Sequence, residues 1–275
     1  GCGEPGSDLD IVLHKPGEPI HKAATKRFVY RFLDKVRLSK TLSVEMSAPM
    51  ARVPLVGLLS SITKPNIQCD VTFQNVLPVY NTRLIRTYAE LEPVVPMLAI
   101  IVKRWAKSHG IGSAQTSCLS SYSWTLMVIY YLQVCHSLPS LHSLSSNMSN
   151  SIPLFAVSFA GNTNETANTF AHVREQRTSS AGNLLRGFFK FYSEDFGWGS
   201  EVVSVRLGRR VNLDHEPTAF RNELLGGSVL LQLEDPIDVR RNLNFALRTV
   251  SENKIRKDLR AATDLLKSGG SLETL

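Results

Sequence analysis

The sequence predicts an α+β fold, with a small unit of strands and helices followed by a mostly helical unit. Two observations carry this prediction. Before residue 82, polar and apolar residues alternate in short runs such as 67–74, which is typical of half-buried strands. After Asn81, apolar residues recur every three to four positions, which is typical of amphipathic helices. We therefore expect one domain over residues 1–82 and a second over residues 83–275.

The first domain is predicted to contain strands and one long helix. Residues 8–13 alternate polar and apolar and end in a β-rich run, so they predict a strand. Further strands are expected in 42–60 and 67–74. A helix is expected from about His21 to Leu38. Its predicted apolar stripe consists of Phe28, Val29, Phe32, Leu33 and Val36.

The second domain is predicted to be built from helices joined by polar segments. The predicted helices are Leu84–Leu91, Pro96–Ser108, Ser120–Gln133, Asn183–Tyr192 and Glu252–Lys267. Pro93 and Pro96 stand where a helix restarts, and a strand is expected at Val202–Leu207. The Ser- and Asn-rich stretch 137–158 predicts a loop, and the polar stretch 162–180 predicts a flexible insertion.

The composition favours an intracellular protein that binds a polyanion. The formal net charge is +7, which suits a nucleic-acid partner. The apolar run Met97–Val102 ends at Lys103, so we expect no membrane segment. The four cysteines lie far apart, which favours a reducing compartment over a disulfide framework. The chain opens on Gly1 without an initiating Met, so we expect a trimmed fragment whose targeting signal is lost.

Three aspartates stand on predicted strands in positions that suit metal binding. Asp8 and Asp10 are two positions apart, so their carboxylates project from one face, and Asp70 lies on the polar face of a separate strand. Close carboxylates repel each other, and divalent cations relieve that repulsion. Three acids on neighbouring strands can hold two Mg²⁺ ions that activate a hydroxyl and stabilise a leaving pyrophosphate. Taken alone, an Asp-x-Asp pair is more often a solvated strand edge or turn.

A series of motifs runs along nearly the whole chain. They are Gly-Ser-Asp-Leu-Asp-Ile-Val-Leu (6–13), Cys-Asp-Val-Thr-Phe-Gln-Asn (69–75), Asn-Thr-Arg-Leu-Ile-Arg-Thr-Tyr (81–88), Ile-Ile-Val-Lys-Arg-Trp-Ala-Lys-Ser-His-Gly-Ile (100–111), Leu-Ser-Ser-Tyr-Ser-Trp-Thr-Leu-Met (119–127), Gly-Phe-Phe-Lys-Phe-Tyr (187–192) and Leu-Glu-Asp-Pro-Ile-Asp (233–238). In this order they resemble the terminal uridylyltransferases and noncanonical poly(A) polymerases, a branch of the DNA polymerase β-like nucleotidyltransferases. The compact layout is similar to the minimal trypanosomatid RNA uridylyltransferases.

The resemblance implies a fold and an activity. The expected fold is a palm with a mixed sheet and helices, packed against a mostly helical poly(A) polymerase-like domain with the active-site cleft between them. The expected activity is transfer of UMP from UTP to an RNA 3′ hydroxyl with release of pyrophosphate, using two Mg²⁺ (or Mn²⁺) ions. Asp8, Asp10 and Asp70 would be the catalytic metal ligands, with Asp70 nearest the attacking hydroxyl. The implied nucleotide-binding residues are Ser7, Asn81, Thr82, Lys103, Lys107, Ser121, Tyr122, Asp235, Asp238 and Arg241.

The residue types suit these implied roles. Lys103 and Lys107 are four positions apart on one helix face, where two ammonium groups can bind a triphosphate; the alternative is an ordinary solvated face. The resemblance gives Ser121 a phosphate contact and Tyr122 a stacking contact with the base; in other settings a Ser-Tyr pair caps or packs a helix. The amide of Asn81 can read a ribose hydroxyl and a uracil carbonyl, or cap a helix that starts at Thr82.

Base choice is assigned by the resemblance to the segment from Asp235 to Arg241. An ionised carboxylate at Asp235 or Asp238 would accept from uracil N3–H directly or through water, whereas adenine has no donor at the equivalent ring nitrogen. Arg241 stands where several relatives carry His, and Asp238 often aligns with Glu, so an adenylyltransferase is the alternative. The family grips the triphosphate with a Gly-Ser pair well upstream of its first metal-binding Asp. Ser7 adjoins Asp8 directly, so we expect that the upstream pair was trimmed.

RNA is expected to bind weakly and with little sequence preference, through its backbone phosphates. Selection of a particular RNA would come from a partner in a larger RNA-processing complex, in the mitochondrion or the cytoplasm. A non-catalytic RNA-binding protein of the same fold is a further alternative, although three intact acids argue against it. The candidate RNA contacts are the 22–37 helix, Arg52, Arg206, Arg209, Arg210 and Lys254–Arg260.

Overall fold

The computed structural model describes residues 2, 8–14, 22–51, 53–62, 66–147, 151–152, 157–213 and 229–270. The chain divides into two compact units, one formed by Gly3–Arg83 and the other by Gly1–Cys2 with Leu84–Leu275. Strands concentrate in the first unit and helices in the second, so the predicted α+β class is confirmed.

A four-stranded mixed sheet forms the centre of the first unit. Its strands are β1 (Leu9–Leu13), β2 (Leu42–Ala48), β3 (Leu55–Ser60) and β4 (Ile67–Phe73). They stand in the order β1-β4-β3-β2. The β1–β4 pair is parallel and the other two pairs are antiparallel. A parallel pair needs a long crossover connection, and this one is made by the segment between β1 and β4, which includes β2 and β3.

Helix α1 (Lys22–Arg37) covers one face of this sheet. Val29, Leu33 and Val36 recur at helical spacing and are buried against apolar side chains of β3 and β4. The ring of Phe73 meets those of Phe28 and Phe32 edge-on, at centroid distances of 5.5 and 5.3 Å. The predicted helix and its stripe are confirmed, although Phe28 remains 44% exposed. Since α1 occupies one face, the polar side chains of β4 lie on the other.

The second unit is organised around an almost completely buried helix, α4. Its large aromatic side chains, among them Trp124, Tyr130 and Tyr131, are almost completely buried. The helices are α2 (Leu77–Leu91), which begins in the first unit, α3 (Val94–Ser108), α4 (Ser121–His136), α5 (Asn164–Gln176), α6 (Ala181–Lys190) and α7 (Thr249–Lys267). Among the described residues, every helix falls short of the length and apolar character that crossing a membrane requires.

Two predictions about local structure are wrong. The stretch 162–180 is no flexible insertion, because it contains α5, which Thr163 caps and whose Phe170 is buried in contact with Tyr88. Asn81 is no helix cap, because α2 begins four residues before it. The first prediction took the polar composition of 162–180 as a sign of flexibility. One buried aromatic side chain every few turns is enough to anchor a helix. The second overlooked that Pro78 is well tolerated in a first turn.

Shorter elements also differ from the predictions. The strand expected at Val202–Leu207 is only β7 (Val202–Val203), which pairs in parallel with β8 (Gln232–Leu233). The expected loop 137–158 contains a 3₁₀ turn, Ser143–Asn147, and the two-residue strands β5 (Ser151–Ile152) and β6 (Val157–Ser158). The pairing of β7 with β8 matters most, because it fixes the segment that begins at Glu234.

Candidate active site

The parallel pairing of β1 with β4 brings two of the three predicted acids together. Asp10 lies directly opposite Asp70 in the register of the two strands. Because paired residues of neighbouring strands project to the same face of a sheet, both carboxylates leave the face opposite α1. Asp8 immediately precedes β1 and is exposed, as is Asp10, while Asp70 is half-buried.

The electrostatics show that the three carboxylates act on one another. Burial raises the pKa of Asp10, and the negative charges of Asp70 and Asp8 raise it further. Burial also raises the pKa of Asp70, with a second contribution from Asp8. Within the described part of the chain, no cation is among the causes of either shift. The group therefore repels itself, which is the condition that a bound cation relieves.

Gly57 is a site residue that was missing from the sequence prediction. It is paired with Asp70 across β3 and β4. A Cβ at residue 57 would lie 3.5 Å from Asp70 Oδ1 and 3.5 Å from Met46 Cβ, so a larger side chain would press on the carboxylate. The only sequence signal was a glycine in the middle of an apolar run, which often marks a close approach.

The donor chemistry of the acidic group fits magnesium. Carboxylate oxygens are hard ligands, and Mg²⁺ commonly binds through one or two of them together with substrate phosphates. Within the described ranges, no set of three His, Cys, Asp or Glu side chains is already arranged to hold a metal ion. Asp8, Asp10 and Asp70 could supply carboxylate oxygens to a metal ion whose remaining ligands come from a bound molecule.

Asn81 and Thr82 lie in the second turn of α2, close in sequence to the end of β4. The Asn81 side chain is partly buried, and its Oδ1 is enclosed without a hydrogen bond to another described residue. An enclosed polar atom without a partner is costly unless a ligand or water satisfies it. Thr82 is exposed.

The two predicted lysines differ in their surroundings. Lys103 is half-buried in α3, and its Nζ donates a hydrogen bond to the backbone carbonyl of Cys2. Lys107 is exposed one turn later, near the end of the helix that His109 closes. Their Cα positions, four residues apart, place both on one helix face as predicted.

The beginning of α4 carries Ser121 and Tyr122. Ser120 is the cap residue, since its Oγ accepts from the Ser123 amide at 3.1 Å. Ser121 is exposed in the first turn. The Tyr122 hydroxyl is enclosed without a hydrogen bond to a described residue, and the residue as a whole is half-buried. Burial raises the pKa of Tyr122 well above its usual value, with a further contribution from the nearby charge of Asp235 and an opposing one from Arg241.

The segment 234–242, which we call the recognition loop, holds its first aspartate inside. Asp235 has no exposed side-chain surface, and its Oδ1 accepts from the amides of Ile237 at 3.0 Å and Asp238 at 3.2 Å. Burial raises the pKa of Asp235 against these donors and against Arg241, whose Nη1 lies 3.5 Å from Oδ2. The Oδ2 of Asp235 is enclosed without a hydrogen bond to a described residue, so the reading of a uracil edge by Asp235, directly or through water, stays a prediction.

Asp238 and Arg241 form the accessible part of the recognition loop. The side chain of Asp238 is 22% exposed and that of Arg241 is 38% exposed. The Arg241 guanidinium also stands over the ring of Phe245, 5.6 Å from its centroid, and that ring is 72% exposed. Arg241 is therefore held from two sides while part of it faces solvent.

Glu234, the first residue of the recognition loop, belongs to a buried ionic group. Glu234 accepts from Arg206 Nη2 at 2.6 Å and from the Ser204 hydroxyl. His142 lies close by, and burial together with the charge of Arg206 lowers its pKa to about 3. Nothing in the sequence paired Glu234 with an arginine 28 residues earlier. Arg206 and Arg210, both candidate RNA contacts, are each ion-paired, the second with Glu201.

Two of the predicted residues, Ser7 and Arg52, lie outside the described residues. The structure therefore brings together three subsets of the predicted site. Asp8, Asp10 and Asp70 form one, and Asn81 and Thr82 follow them on α2. Tyr122, Asp235 and Arg241 form the third, because the charges of Asp235 and Arg241 both shift the pKa of Tyr122.

Comparisons with known protein families match both ends of the chain. Residues 1–90 match the central palm domain of mitochondrial-like poly(A) RNA polymerases. Residues 180–241 match the Cid1 family of poly A polymerases. The first match contains the three acids of the sheet, and the second contains the recognition loop as far as Arg241.

Individual relatives differ in the nucleotide that their names specify. The chain is 32% identical over 221 residues to the poly(A) RNA polymerase GLD2 of Mus musculus, covering 77% of this chain and 44% of that protein. It is 31% identical over 234 residues to the terminal uridylyltransferase cid1 of Schizosaccharomyces pombe, covering 79% and 56%. A structure of the Cid1 poly(U) polymerase with MgGTP bound superposes with a TM-score of 0.75 at 25% identity, over 97% of this chain and 79% of that one. The chain spans about half the length of these curated relatives.

Proposed function

Because the chain belongs to the family of Cid1- and GLD2-type nucleotidyltransferases, we propose that it transfers UMP from UTP to the 3′ hydroxyl of an RNA. The observation that carries this proposal is the register that sets Asp10 opposite Asp70, with Asp8 beside them. Clustered carboxylates in which neighbouring acids raise the pKa, as at Asp10 and Asp70, are typical of a site that binds cations. In this proposal the unit Gly3–Arg83 acts as the palm, and the larger unit binds and selects the nucleotide.

Asp8, Asp10 and Asp70 would hold the two Mg²⁺ (or Mn²⁺) ions. When bound, such ions polarise the attacking hydroxyl and neutralise the charge of the leaving pyrophosphate. Asp70 would orient the RNA 3′ hydroxyl and accept its proton. Gly57 serves this step by leaving the space that the Asp70 carboxylate occupies.

The triphosphate would be bound by cations and by a helix end. Lys103 and Lys107 supply ammonium groups on one face of α3. The first turn of α4 adds the exposed hydroxyl of Ser121 and backbone amides that no intrahelical carbonyl satisfies. Asn81 would satisfy its enclosed Oδ1 by accepting from a ribose hydroxyl, with Thr82 and Ser7 beside the nucleotide.

The base would be read by Tyr122 and the exposed part of the recognition loop. The Tyr122 ring would offer a stacking surface, worth on the order of 1–3 kcal/mol per base. Asp238 can accept from uracil N3–H. Arg241 carries only donors, which suit the O4 carbonyl of uracil and not the amino group of adenine. Asp235 would act through the loop, by holding the amides of Ile237 and Asp238 in place.

An adenylyltransferase is the second candidate, because the GLD2 relatives are named poly(A) polymerases. Incubating the protein with a short single-stranded RNA, Mg²⁺ and each ribonucleoside triphosphate in turn separates the two. We expect a ladder of products with UTP and little extension with ATP, CTP or GTP. Efficient extension with ATP and negligible extension with UTP would replace UMP transfer by AMP transfer, and no extension with any nucleotide would refute transfer.

RNA selection is proposed to come from outside this chain. The described residues provide charge and aromatic surface but no element that reads a base sequence, so we propose sequence-tolerant binding of single-stranded 3′ ends, with a partner in a larger RNA-processing complex supplying specificity. Binding assays with RNAs of equal length and different sequence test this: affinities should agree within about threefold, since phosphate contacts carry no sequence information.

A further inference from the structure

A cavity of about 290 Å³ lies on the second unit beside α7. Its lining includes Trp198 and three cationic side chains of that helix, Arg256, Lys257 and Arg260. The residues given roles in transfer above, on β1, β4, α2, α3, α4 and the recognition loop, are absent from the lining. The cavity is therefore a separate feature that the proposed chemistry leaves without a role.

The cationic side chains of α7 line this cavity because their helical spacing places them on one face. Asn253, Arg256, Lys257 and Arg260 recur at intervals of three, one and three residues, so they share one face of α7. A different face of α7 is anchored in the core, because Ile255 and Leu259 are completely buried. The anchored face prevents rotation of the helix, and the cationic face keeps a fixed direction.

Trp198 is held rigidly at the edge of the same cavity. Its indole Nε1 donates to the backbone carbonyl of Tyr192 at 2.8 Å, and its ring meets Phe196 edge-on at 5.6 Å. The Arg256 guanidinium lies 5.3 Å from the centroid of the indole. The ring and one cation are thus ordered before any ligand arrives, which reduces the entropy that binding would cost.

The described lining of the cavity is cationic. It contains Arg256, Lys257 and Arg260 and no acidic side chain. Arg260 pairs with Glu194 at 2.8 Å, and Glu194 also pairs with Lys267 at 2.6 Å. Arg256 faces the indole and Lys257 is exposed beside it, so the described lining favours an anion.

We propose that this cavity is an accessory binding site for the RNA substrate, in which Arg256 and Lys257 contact backbone phosphates and Trp198 provides a surface for a base. This inference rests on the proposed function, since it takes the anion to be RNA. Ordered aromatic rings bordered by cations are the features with which proteins bind single strands without reading sequence. Guanidinium groups suit phosphate because their donors match its oxygens in pairs.

The test compares two double variants with the same change in net charge. Arg256→Gln with Lys257→Gln removes both proposed phosphate contacts. Lys40→Gln with Arg186→Gln removes two exposed cations that are outside the cavity. Each protein is titrated with a labelled single-stranded RNA by fluorescence anisotropy at several salt concentrations, and thermal unfolding verifies that each variant is folded.

We expect the cavity variant to bind RNA about tenfold more weakly at low salt, and the slope of log affinity against log salt to fall by about 1.4, because single strands contribute about 0.7 for each lost phosphate contact. The matched variant should keep the native affinity and slope. Equal losses in the two variants, or no loss in the cavity variant, would overturn the inference.

A third variant separates the aromatic contact from the ionic ones. Trp198→Leu should weaken RNA binding several-fold without changing the salt slope, because stacking releases no counterions. The same preparations are assayed for extension of the RNA with UTP. If the native protein extends RNA and the cavity variant binds RNA normally, only the accessory site is refuted. If the native protein neither binds nor extends RNA, the proposed function is refuted as well.

Discussion

The two acidic groups of this protein differ in what surrounds them. On the sheet, Asp10 and Asp70 face each other across parallel strands, and the charges that shift their pKa values come from neighbouring carboxylates. In the recognition loop, Asp235 is buried, accepts two backbone hydrogen bonds and lies near Arg241. Around Asp10 and Asp70 the carboxylate charges add to the effect of burial on the pKa, whereas around Asp235 the backbone donors and Arg241 oppose it.

This difference separates a ligand-binding role from a structural one. A carboxylate that is repelled by neighbouring carboxylates lowers the stability of the fold. Such a group is typical of a site that binds a ligand. A buried carboxylate with backbone donors costs most when it is removed, because its partners are then left unsatisfied. Replacing the acids of the two groups should therefore change different properties of the protein.

The largest effect is expected for Asp70→Asn. Loss of one metal-binding carboxylate should lower the rate of nucleotide transfer by at least about 1000-fold, since metal stabilisation of the transition state is worth several kcal/mol. The unfolding temperature should be unchanged or higher, because a source of repulsion is removed. Extension assays with UTP and thermal unfolding measure both. A variant with native activity would refute the metal assignment. An unfolded variant would show that Asp70 is needed for folding, as is expected of Asp235.

Gly57→Val should lower activity by an indirect route. The Val methyl groups would press on the Asp70 carboxylate, and a displacement of about 1 Å at a reacting group can lower a rate by about 100-fold. Gly57→Ala is the matched control, because its Cβ would lie at ordinary contact distance, 3.5 Å from Asp70 Oδ1. The measurement is the steady-state rate of extension at saturating UTP. Equal rates for the Val and Ala variants would show that Asp70 does not depend on this space.

The recognition loop provides a matched pair of substitutions. Asp238→Ala should leave stability nearly unchanged and lower the preference for UTP over ATP about tenfold, the value of one hydrogen bond to a charged group. Asp235→Ala should instead lower the free energy of unfolding by about 3 kcal/mol, because the amides of Ile237 and Asp238 lose their acceptor. Competition between the two nucleotides and urea unfolding measure these effects. A reversed pattern would mean that Asp235 reads the base.

The last effect concerns His142 and appears only in acid. The folded protein keeps its pKa at about 3, whereas the unfolded chain titrates near the usual value of 6.5. Below that value the unfolded state binds one more proton, so stability falls with falling pH, while above it His142 contributes no pH dependence. Between pH 7.5 and pH 5.0, native protein should lose about 2 kcal/mol more than His142→Gln. Urea unfolding at the two pH values tests this, and equal losses would contradict it.

Much of the site could be predicted because it depends on local periodicity. Alternation along β4 placed Asp70 opposite the buried Val71 and Phe73, and helical spacing placed Lys103 and Lys107 on one face. The resemblance of ordered motifs indicated the family, which the comparisons confirm. Whether the protein prefers UTP, and whether it is similar to trypanosomatid enzymes in particular, stay predictions.

The wrong predictions concern local structure. The prediction for 162–180 counted polar residues, but one buried side chain, Phe170, is enough to hold α5 against the protein. The prediction of Asn81 as a cap placed the start of α2 after this residue, although the helix begins at Leu77. Burial is set by packing against segments far away in the chain, which polar composition does not reveal.

The sequence by itself determined which residues alternate, which recur along a helix face and which acids are available for metal binding, because these patterns depend on neighbours within a few positions. Only the tertiary structure decided that Gly57 makes room for Asp70, that Asp235 is enclosed while Asp238 is accessible, and that α7 turns its cations toward Trp198. Strand register and burial join residues that are distant in the chain, and no local pattern encodes which of them meet.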